Sequence, residues 1–381
     1  MTQGLDPSRA RPEHLEAAAR QFMAGAHPLH LQAYGRGNVN DTFLVTPDRG
    51  GEAVFILQRL NRRVFPRPES VMGNLRVLTG HLARRQAPIP LPPGRRWETP
   101  KVRLTQAGRD HWLDPEGGFW RALSFIPDAQ TVEAIQDCGQ AQEAGYALGM
   151  FHLLVSDLPP QLLSDTLPGF HITPEYLRGY DAARAASRTR PSPEADFAHR
   201  FIAARRDWAG VLEAAKARGE LKLRLIHGDP KVNNVMFDRA SGQAVSLIDL
   251  DTVKPGLLHY DFGDCLRSGC NALGEETRQW LEVRFDADLC RAILQGYLPL
   301  ARNFLTERDY AYLYDAMRLL AFELGLRFFT DFLAGNVYFK AQGPDHNLWR
   351  ALVQFRLTES IESQQNALTA MIHEFKGPAD I

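Results

Sequence analysis

Two carboxylates and an amide lie close together in the sequence between Leu225 and Asp251. Asp229 and Asn234 are five positions apart in a short polar loop, and Asp249 comes directly after an apolar run. Mg²⁺ in phosphate-handling proteins prefers one or two carboxylate or amide oxygens, with water and phosphate completing its shell. A positioned carboxylate can also accept a proton from a hydroxyl group. The stretch therefore predicts magnesium–phosphate chemistry, with Asp229 as the catalytic base and Asn234 and Asp249 as metal ligands.

The neighbouring residues predict short strands that would hold these side chains in place. Apolar residues precede His227, Val235–Phe237 form a second apolar run, and Ala244–Ile248 form a third. Ser241 and Gly242 separate the last two runs, which is typical of a β-hairpin. A single Asp or Asn in such a loop often only shapes a turn. The whole arrangement is that of a kinase catalytic loop followed by a metal-binding acid, which favours the catalytic interpretation.

Composition limits the classes of protein that this chain can belong to. Its 381 residues, 44% of them apolar, are enough for two lobes with sizeable cores. The formal net charge of −1 predicts no bulk attraction to nucleic acid or to a membrane surface. The sequence shows neither a membrane-spanning stretch nor a signal peptide, and its four cysteines lack metal-ligand spacing. We therefore expect a cytoplasmic protein with reduced thiols.

A glycine-containing turn comes early in the chain. Gly35 and Gly37 lie between apolar runs that predict strands. Glycines let backbone N–H groups approach phosphates closely, although a plain β-turn is the simpler interpretation of this pattern alone. Asn38, Asn40 and Asp41 follow, and they could either reach a ligand or only shape the turn.

The strand that follows this turn lacks the cation that kinases usually carry there. Kinases place a lysine for the nucleotide phosphates on their third strand. Here Gln58 stands at that point and Arg59 is next to it. Because successive strand side chains face opposite sides, only one of the two can face a nucleotide. Either a bulge turns Arg59 inward, or magnesium and backbone donors neutralise more of the phosphate charge.

These motifs resemble the aminoglycoside phosphotransferase and choline kinase family over about residues 31–370. Within that family they look like the N-acetylhexosamine 1-kinases, bacterial enzymes that phosphorylate the anomeric hydroxyl of GlcNAc or GalNAc. The phrases that carry the resemblance are G-x-G-N-V-N-D-T-F-L-V, F-I-L-Q-R-L-N, H-G-D-P-K-V-N-N-V-M-F-D, I-D-L-D-T-V-K-P-G, E-L-G-L-R-F-F-T-D-F-L-A-G-N-V-Y-F-K and F-R-L-T-E-S-I-E.

The resemblance implies a fold and a nucleotide site. The fold would be α+β, bilobal and protein-kinase-like, with a small β-rich N-terminal lobe over residues 1–126 and a larger, mostly helical C-terminal lobe over residues 127–381. ATP would bind between the lobes with its phosphates at the Gly35–Gly37 turn, near Gln58 and Arg59.

The resemblance also implies the chemistry and the acceptor site. Mg²⁺ would accompany ATP, and Asp229 would accept the proton of the acceptor hydroxyl. Arg327 and Tyr338 would line the site of a small sugar-like acceptor, and Asn38 and Asn40 would approach it from the glycine turn. An Arg on an aromatic helix face and a Tyr beyond a Gly-Asn turn can donate to sugar hydroxyls, although a surface salt bridge and a packed tyrosine explain them equally well.

Two further residues are predicted to be structural. His152 lies within an apolar helical pattern, where a hydrogen-bonded core histidine is the favoured interpretation. Asp261 matches the acid that braces the catalytic loop in the family, so we expect it to hold the loop by hydrogen bonds.

The sequence is also compatible with other classes of function. An aminoglycoside, choline or an amino alcohol would need an acidic pocket. Five acids follow Asp261 in the sequence, but they are more simply explained as a solvated surface: Glu275, Glu276, Glu282, Asp286 and Asp288. The missing strand lysine is compatible with a nucleotide-binding pseudokinase or scaffold, whereas the intact catalytic loop opposes that interpretation.

Overall fold

An antiparallel sheet of six strands is built from the apolar runs of the first third of the chain. The computed structural model describes residues 12–24, 29–35, 39–48, 54–86 and 89–376. The strands are β1 (Leu29–Ala33), β2 (Asp41–Pro47), β3 (Phe55–Leu60), β4 (Val102–Arg103), β5 (Trp112–Leu113) and β6 (Phe119–Ser124). Their order is β1-β2-β3-β6-β4, and β5 pairs with β6.

Two helices accompany this sheet, α1 (Pro12–Gln21) and α2 (Pro68–Gln86). Ala18 and Ala19 of α1 share a hydrophobic core with Leu57, Trp120 and Ala122 of the sheet. The side chains predicted to form one face of α2 are all buried, as their helical spacing requires: Val71, Leu75, Leu78 and Leu82. The sheet therefore has one face that packs on α1, and alternate side chains face away from that core.

The rest of the chain is mainly helical. Its helices are α3 (Cys138–Val155), α4 (Thr173–Ala186), α5 (Pro193–Ala203), α6 (Val211–Ala217), α7 (Leu258–Gly269), α8 (Ala287–Ala301), α9 (Glu307–Ala311), α10 (Leu313–Leu333), α11 (His346–Ser363) and α12 (Gln365–Lys376). Its short strands are β7 (Ala129–Gln130), β8 (Arg224–Ile226), β9 (Val235–Asp238), β10 (Ala244–Leu247) and β11 (Lys254–Gly256). No helix in the described ranges is long and apolar enough to cross a membrane.

The chain divides into two compact units. The first comprises Met1–Ile89, Glu98–Asp128 and Leu162–Thr166, and the second comprises Pro90–Trp97, Ala129–Gln161 and Leu167–Ile381. The six-stranded sheet belongs to the first unit, and the helices from α3 onward, with the three-stranded and two-stranded sheets, belong to the second.

Several helices begin or end at different residues from those that periodicity predicts. The pattern predicts a helix over residues 131–156, but α3 begins at Cys138 because the carboxylate of Asp137 accepts a hydrogen bond from Gln140 N at 2.8 Å. The pattern over residues 196–218 forms two helices, and Trp208 between them packs against Phe322 with ring centroids 5.3 Å apart. The predicted C-terminal helix is also divided, at Gln364, whose amide donates to Phe285 O at 2.9 Å.

The four cysteines are free thiols. Cys265, Cys270 and Cys290 are buried, and Cys138 is exposed at the start of α3. The helical spacing of Cys138 predicts that it belongs to a buried helix face. Its exposure shows that this prediction is wrong.

Candidate active site

The loop that follows β8 is held by a buried carboxylate. Asp261 accepts hydrogen bonds from His227 N at 2.6 Å and from Gly228 N at 2.8 Å. His152 Nε2 donates to the same carboxylate at 2.9 Å, and His152 Nδ1 lies 3.0 Å from the hydroxyl of Tyr297. His152 and Asp261 are both buried. The predictions that Asp261 braces the loop and that His152 is a hydrogen-bonded core residue are therefore confirmed.

Glycine is required at the position before Asp229 for two reasons. Gly228 has φ +85°, and a Cβ there would lie 2.7 Å from the carbonyl oxygen of Thr252. The hydroxyl of Thr252 donates to His227 O at 2.7 Å, and His171 Nε2 donates to Gly228 O at 2.8 Å. These contacts fix the direction in which the chain enters Asp229.

His227 is a neutral support for this loop. Burial lowers the pKa of His227, so the ring carries a single proton at neutral pH. Its Nδ1 accepts from Asp229 N at 3.3 Å, and its Nε2 donates to Ile248 O at 2.9 Å. One ring therefore ties the residue before Asp249 to the backbone of Asp229.

The carboxylate of Asp229 is held at one of its two oxygens. Oδ2 accepts from Lys231 Nζ at 2.6 Å, and Asn234 Nδ2 lies 3.3 Å from the same oxygen. Asn234 Nδ2 also donates to Asp229 O at 2.7 Å. The side chain of Asp229 remains 26% exposed, so solvent and small molecules can reach it. Among the described residues, the hydrogen bonds to this carboxylate all reach Oδ2, and none reaches Oδ1.

Lys231 is a candidate site residue that spacing alone does not single out. Burial opposes its charge, but the carboxylates of Asp229 and Asp249 outweigh this effect and raise the pKa of Lys231. The ammonium group therefore stays charged and lies beside the candidate base. The only sequence signal for this role is its position two residues after Asp229 in a loop already predicted to be catalytic.

The two predicted metal ligands are brought together by strand pairing. Ile248 N donates to Asn234 O at 2.9 Å, so Asp249 follows directly beside Asn234. Asp249 is exposed and has left-handed backbone angles, φ 64° and ψ 56°. The side-chain nitrogen of Asn234 donates to Asp229 O. The side-chain oxygen of Asn234 is therefore the atom that could bind a cation.

These two oxygen donors fit a magnesium site that phosphate and water complete. Within the described ranges, no group of three or more His, Cys, Asp or Glu side chains is arranged to hold a metal ion. Asp251, the second acid of this segment, is 2% exposed.

The glycine turn of the first unit is described only in part. Gly35 has φ +74°, and Tyr34 N donates to Thr42 O at 2.9 Å to close the β1–β2 hairpin. Gly37 and Asn38, two of the predicted ligand-binding residues, lie outside the described residues. Asn40 Oδ1 accepts from Asn61 N at 3.0 Å, which ties the hairpin to the end of β3.

Gln58 and Arg59 lie on opposite faces of β3. This strand pairs with β2 and β6 without a register shift, so no bulge turns Arg59 to the face of Gln58. Gln58 is opposite Thr42 and Arg121, whereas Arg59 is opposite Trp120 on the face that packs on α1. Gln58 Oε1 accepts from Arg121 Nε at 3.0 Å and from Arg121 Nη2 at 2.7 Å.

Arg327 lies on α10, among aromatic rings. Its guanidinium carbon is 5.1 Å from the ring centroids of Phe170 and Tyr176 and 5.4 Å from that of Phe339. Burial opposes its charge, but nearby groups, Tyr176 first among them, raise the pKa of Arg327. Burial raises the pKa of Tyr176 to about 12, so its hydroxyl stays protonated at neutral pH.

A chain of hydrogen bonds connects the helix of Arg327 to the loop that contains Asp229. Glu323 lies one helical turn before Arg327. Glu323 Oε1 accepts from His171 Nδ1 at 2.8 Å, and the other nitrogen of His171 bonds to Gly228 O. Although burial opposes it, the Glu323 carboxylate raises the pKa of His171. Arg327 is thus held at a fixed position relative to Asp229.

Tyr338 lies on a loop that one carboxylate shapes. Asp331 is 5% exposed. Its oxygens accept from Val337 N at 2.9 Å, Tyr338 N at 2.8 Å and Phe339 N at 2.9 Å. Asn347 Nδ2 donates to the same carboxylate at 2.9 Å. This support presents the ring of Tyr338, which is 63% exposed.

Two of the acids that the sequence assigned to a solvated surface take part in ion pairs. Glu275 lies 2.6 Å from Arg350 Nη2 and 3.4 Å from Arg267 Nη1. Glu276 lies 2.6 Å from His346 Nε2. Glu275 is about one third exposed and has an arginine on two sides, so its charge is already paired.

Known proteins resemble this chain in sequence and in fold. A model of the phosphotransferase enzyme family matches residues 30–301. The microcompartment-associated aminopropanol kinase superposes with a TM-score of 0.59 at 16% identity, over 90% of this chain and 94% of that chain. An aminoglycoside phosphotransferase from Alicyclobacillus acidocaldarius superposes with a TM-score of 0.58 at 14% identity, over 98% of this chain and 99% of that chain. An ethanolamine kinase from Plasmodium vivax superposes with a TM-score of 0.53 at 14% identity, over 84% of this chain and 81% of that chain.

These likenesses confirm the predicted fold class, an α+β protein-kinase-like fold with a β-rich N-terminal part and a helical C-terminal part. The family model covers most of the chain, including the braced loop and the residues that surround Asp229, Asn234 and Asp249. The chain belongs to the phosphotransferase enzyme family.

Proposed function

We propose that this protein is an ATP-dependent kinase that phosphorylates the anomeric hydroxyl of an N-acetylhexosamine, GlcNAc or GalNAc. The observation that carries the phosphotransfer is the environment of Asp229. Its carboxylate is fixed at Oδ2 by Lys231, is partly exposed, and follows a loop that Asp261 holds rigid. A fixed, accessible carboxylate beside two candidate metal ligands is the arrangement that phosphoryl transfer to a hydroxyl requires.

In this mechanism the chain acts mainly by positioning and by charge. Asp229 accepts the proton of the acceptor hydroxyl at Oδ1 while Lys231 holds the other oxygen. Asn234 and Asp249 would hold Mg²⁺, which neutralises phosphate charge when it is bound. His227 and Asp261 keep the loop backbone in place.

The acceptor class is argued from the surroundings of Arg327 and Tyr338. A guanidinium donates to sugar hydroxyls, and an exposed aromatic ring covers the apolar face of a sugar. A cationic acceptor would meet the positive charge of Arg327. The carboxylate of Glu275 is already paired with Arg267 and Arg350. These charges favour a neutral sugar over an aminoglycoside, choline or an amino alcohol.

A screen of acceptors tests this proposal. ADP release from MgATP would be measured with GlcNAc, GalNAc, their non-acetylated parent sugars, an aminoglycoside, choline and ethanolamine. We expect release with the N-acetylhexosamines and at most slow release with the cationic acceptors. Release with only a cationic acceptor would overturn the sugar assignment and keep the kinase. If no acceptor in the panel causes release of ADP, the kinase proposal itself is contradicted.

Replacing Asp331 with asparagine should weaken binding of the acceptor. The amide cannot accept from all three backbone N–H groups of Val337–Phe339, so the loop that presents Tyr338 loses part of its support. Hydrogen bonds to a charged group contribute about 1.5–3 kcal/mol each, so we expect KM for the acceptor to rise roughly tenfold or more. Steady-state kinetics would measure KM for the sugar and for ATP separately, and only the first should change.

Asp345→Asn is a matched control for this variant. Asp345 is exposed and makes no capping hydrogen bond with its side chain at the start of α11. It should leave both KM values unchanged. If Asp331→Asn lowers the melting temperature but not the affinity for the acceptor, the loop has no role in acceptor binding.

A further inference from the structure

Two imidazole rings hold the peptide bond that joins Gly228 to Asp229. His171 Nε2 donates to Gly228 O at 2.8 Å, and the N–H of Asp229 donates to His227 Nδ1 at 3.3 Å. This oxygen and this N–H belong to one planar peptide unit, so the two rings together fix the orientation of its plane. Because the unit leads directly into the Cα of Asp229, its orientation sets the direction in which the Asp229 side chain leaves the backbone.

The two rings differ in their protonation. His227 accepts at Nδ1 and donates to Ile248 O at Nε2, which requires a single ring proton, and burial lowers the pKa of His227. In His171 both nitrogens face acceptors, which are Gly228 O and a carboxylate oxygen of Glu323, each at 2.8 Å. An imidazole donates at both nitrogens only when it is protonated. The hydrogen bonds of His171 therefore require the imidazolium form.

Buried carboxylates on two helices stabilise the charge of His171. Burial opposes this charge, but Glu323 on α10 and Asp264 on α7 outweigh it and raise the pKa of His171. Thr173 Oγ1 donates to the second oxygen of Glu323 at 2.6 Å, which stabilises the ionised carboxylate. Other titratable or charged groups lie on the elements around the ring: Tyr176, Asp229, Lys254, Tyr260, Asp261, Arg267 and Arg327.

The backbone of His171 is held in an uncommon conformation. Its φ is 67°, in the left-handed region that few residues with a Cβ adopt. Such a conformation persists where the surrounding structure fixes it. The residue is 4% exposed, and its ring stacks on that of Tyr260 with centroids 5.4 Å apart. The ring therefore cannot turn towards solvent without breaking its contacts with Glu323 and Gly228.

We propose that the imidazolium of His171 is a positioning residue for phosphoryl transfer, because it fixes the peptide unit that leads into Asp229. When the ring loses a proton, the remaining proton stays at Nδ1, where the charged Glu323 accepts it. The hydrogen bond that is lost is then the one to Gly228 O. A displacement of about 1 Å at a reacting group costs about a hundredfold in rate, so this bond affects turnover. The inference rests on the proposed role of Asp229 as the base.

The dependence of kcat on pH tests this role. Because the pKa of His171 is raised, the positioning is complete at low pH and is lost as the pH rises through that pKa. The kcat of the wild-type protein should therefore fall on the alkaline side. Glu323→Gln keeps an oxygen that accepts from His171 but removes the charge, so the fall should move to lower pH. Glu175→Gln removes a half-exposed charge on α4 and should leave the fall where it is. An alkaline fall at the same pH in the wild type and in Glu323→Gln would overturn the inference.

A variant of His171 itself gives a second test. Asparagine tolerates a left-handed backbone, but its side chain is shorter than imidazole and does not titrate. His171→Asn should lower kcat roughly ten- to hundredfold, the range for loss of one hydrogen bond to a charged group, and leave KM for MgATP unchanged. The alkaline fall should also be absent. Wild-type kcat, or a lowered kcat that still falls at the same alkaline pH, would contradict the role of His171. If His171→Asn does not fold, Glu323→Gln decides the question.

Nuclear magnetic resonance separates this inference from the proposed function, because it needs no acceptor. The backbone amide signal of Asp229 should shift with pH at the same midpoint as the ring of His171, and both midpoints should move to lower pH in Glu323→Gln. If they do so and the protein phosphorylates no acceptor, the link between His171 and Asp229 stands and the kinase proposal fails. If the protein transfers phosphate but the amide of Asp229 does not follow the ring, the positioning role fails and the kinase proposal stands.

Discussion

Replacing Asp229 with asparagine is expected to lower turnover by at least about 10²–10⁴-fold, the contribution of a positioned general base. Asparagine has nearly the same size, and the loop around it is held by Asp261, His227 and Gly228 rather than by the carboxylate. The affinity for MgATP should therefore change little. Single-turnover measurement of phosphoryl transfer, with calorimetry for MgATP, would separate the two effects.

Asp288→Asn is the matched control for this variant. Asp288 is an exposed acid on α8, and the same change of charge there should leave turnover unchanged. An Asp229→Asn variant that keeps nearly full turnover would show that Asp229 is not the base. Loss of MgATP binding together with turnover would show instead that the carboxylate serves the nucleotide.

Replacing Asp249 with asparagine should abolish most of the effect of magnesium on nucleotide binding. Asparagine tolerates left-handed backbone angles, so the variant can keep the φ of 64° at this position and lose only the charge. Removing a residue that only hydrogen-bonds to a metal ligand lowers the affinity for the metal roughly 10–100-fold. Loss of a direct ligand such as Asp249 should lower it at least as much.

Calorimetry with ATP, in the presence and absence of Mg²⁺, would measure this effect. In the wild-type protein magnesium should strengthen ATP binding, and in Asp249→Asn it should have little influence. The magnesium-free titration is the internal control, because both proteins should then bind ATP with similar affinity. An unchanged response to magnesium would contradict the assignment of Asp249 as a metal ligand.

The strands and the loop around Asp229 could be predicted because their information is local. Asp229, Asn234 and Asp249 lie within one short stretch, and the apolar runs between them define the strands that hold them. The bracing by Asp261 was predictable from family resemblance, and the hydrogen bonds to His227 and Gly228 confirm it. The ion pair between Asp229 and Lys231 depends on side-chain directions in the loop, which spacing does not define.

Contacts between distant segments could not be predicted in the same way. Arg121 meets Gln58 only because β6 pairs with β3, and the sequence does not specify that strand order. The contact of Asp331 with the loop of Tyr338 spans only seven residues, but it depends on how the chain turns after α10, which residue spacing does not define. Helix boundaries were missed where a side chain decided them, as Asp137 does for α3 and Gln364 does between α11 and α12.

The product of the wild-type reaction tests the central claim most directly. The protein would be incubated with MgATP and GlcNAc or GalNAc, and the products would be followed by ³¹P nuclear magnetic resonance. The proposed function predicts ADP and an anomeric sugar phosphate in equal amounts, with no sugar phosphate formed by Asp229→Asn on the same timescale. A phosphate on another hydroxyl, or ATP consumption without any phosphorylated sugar, would contradict it.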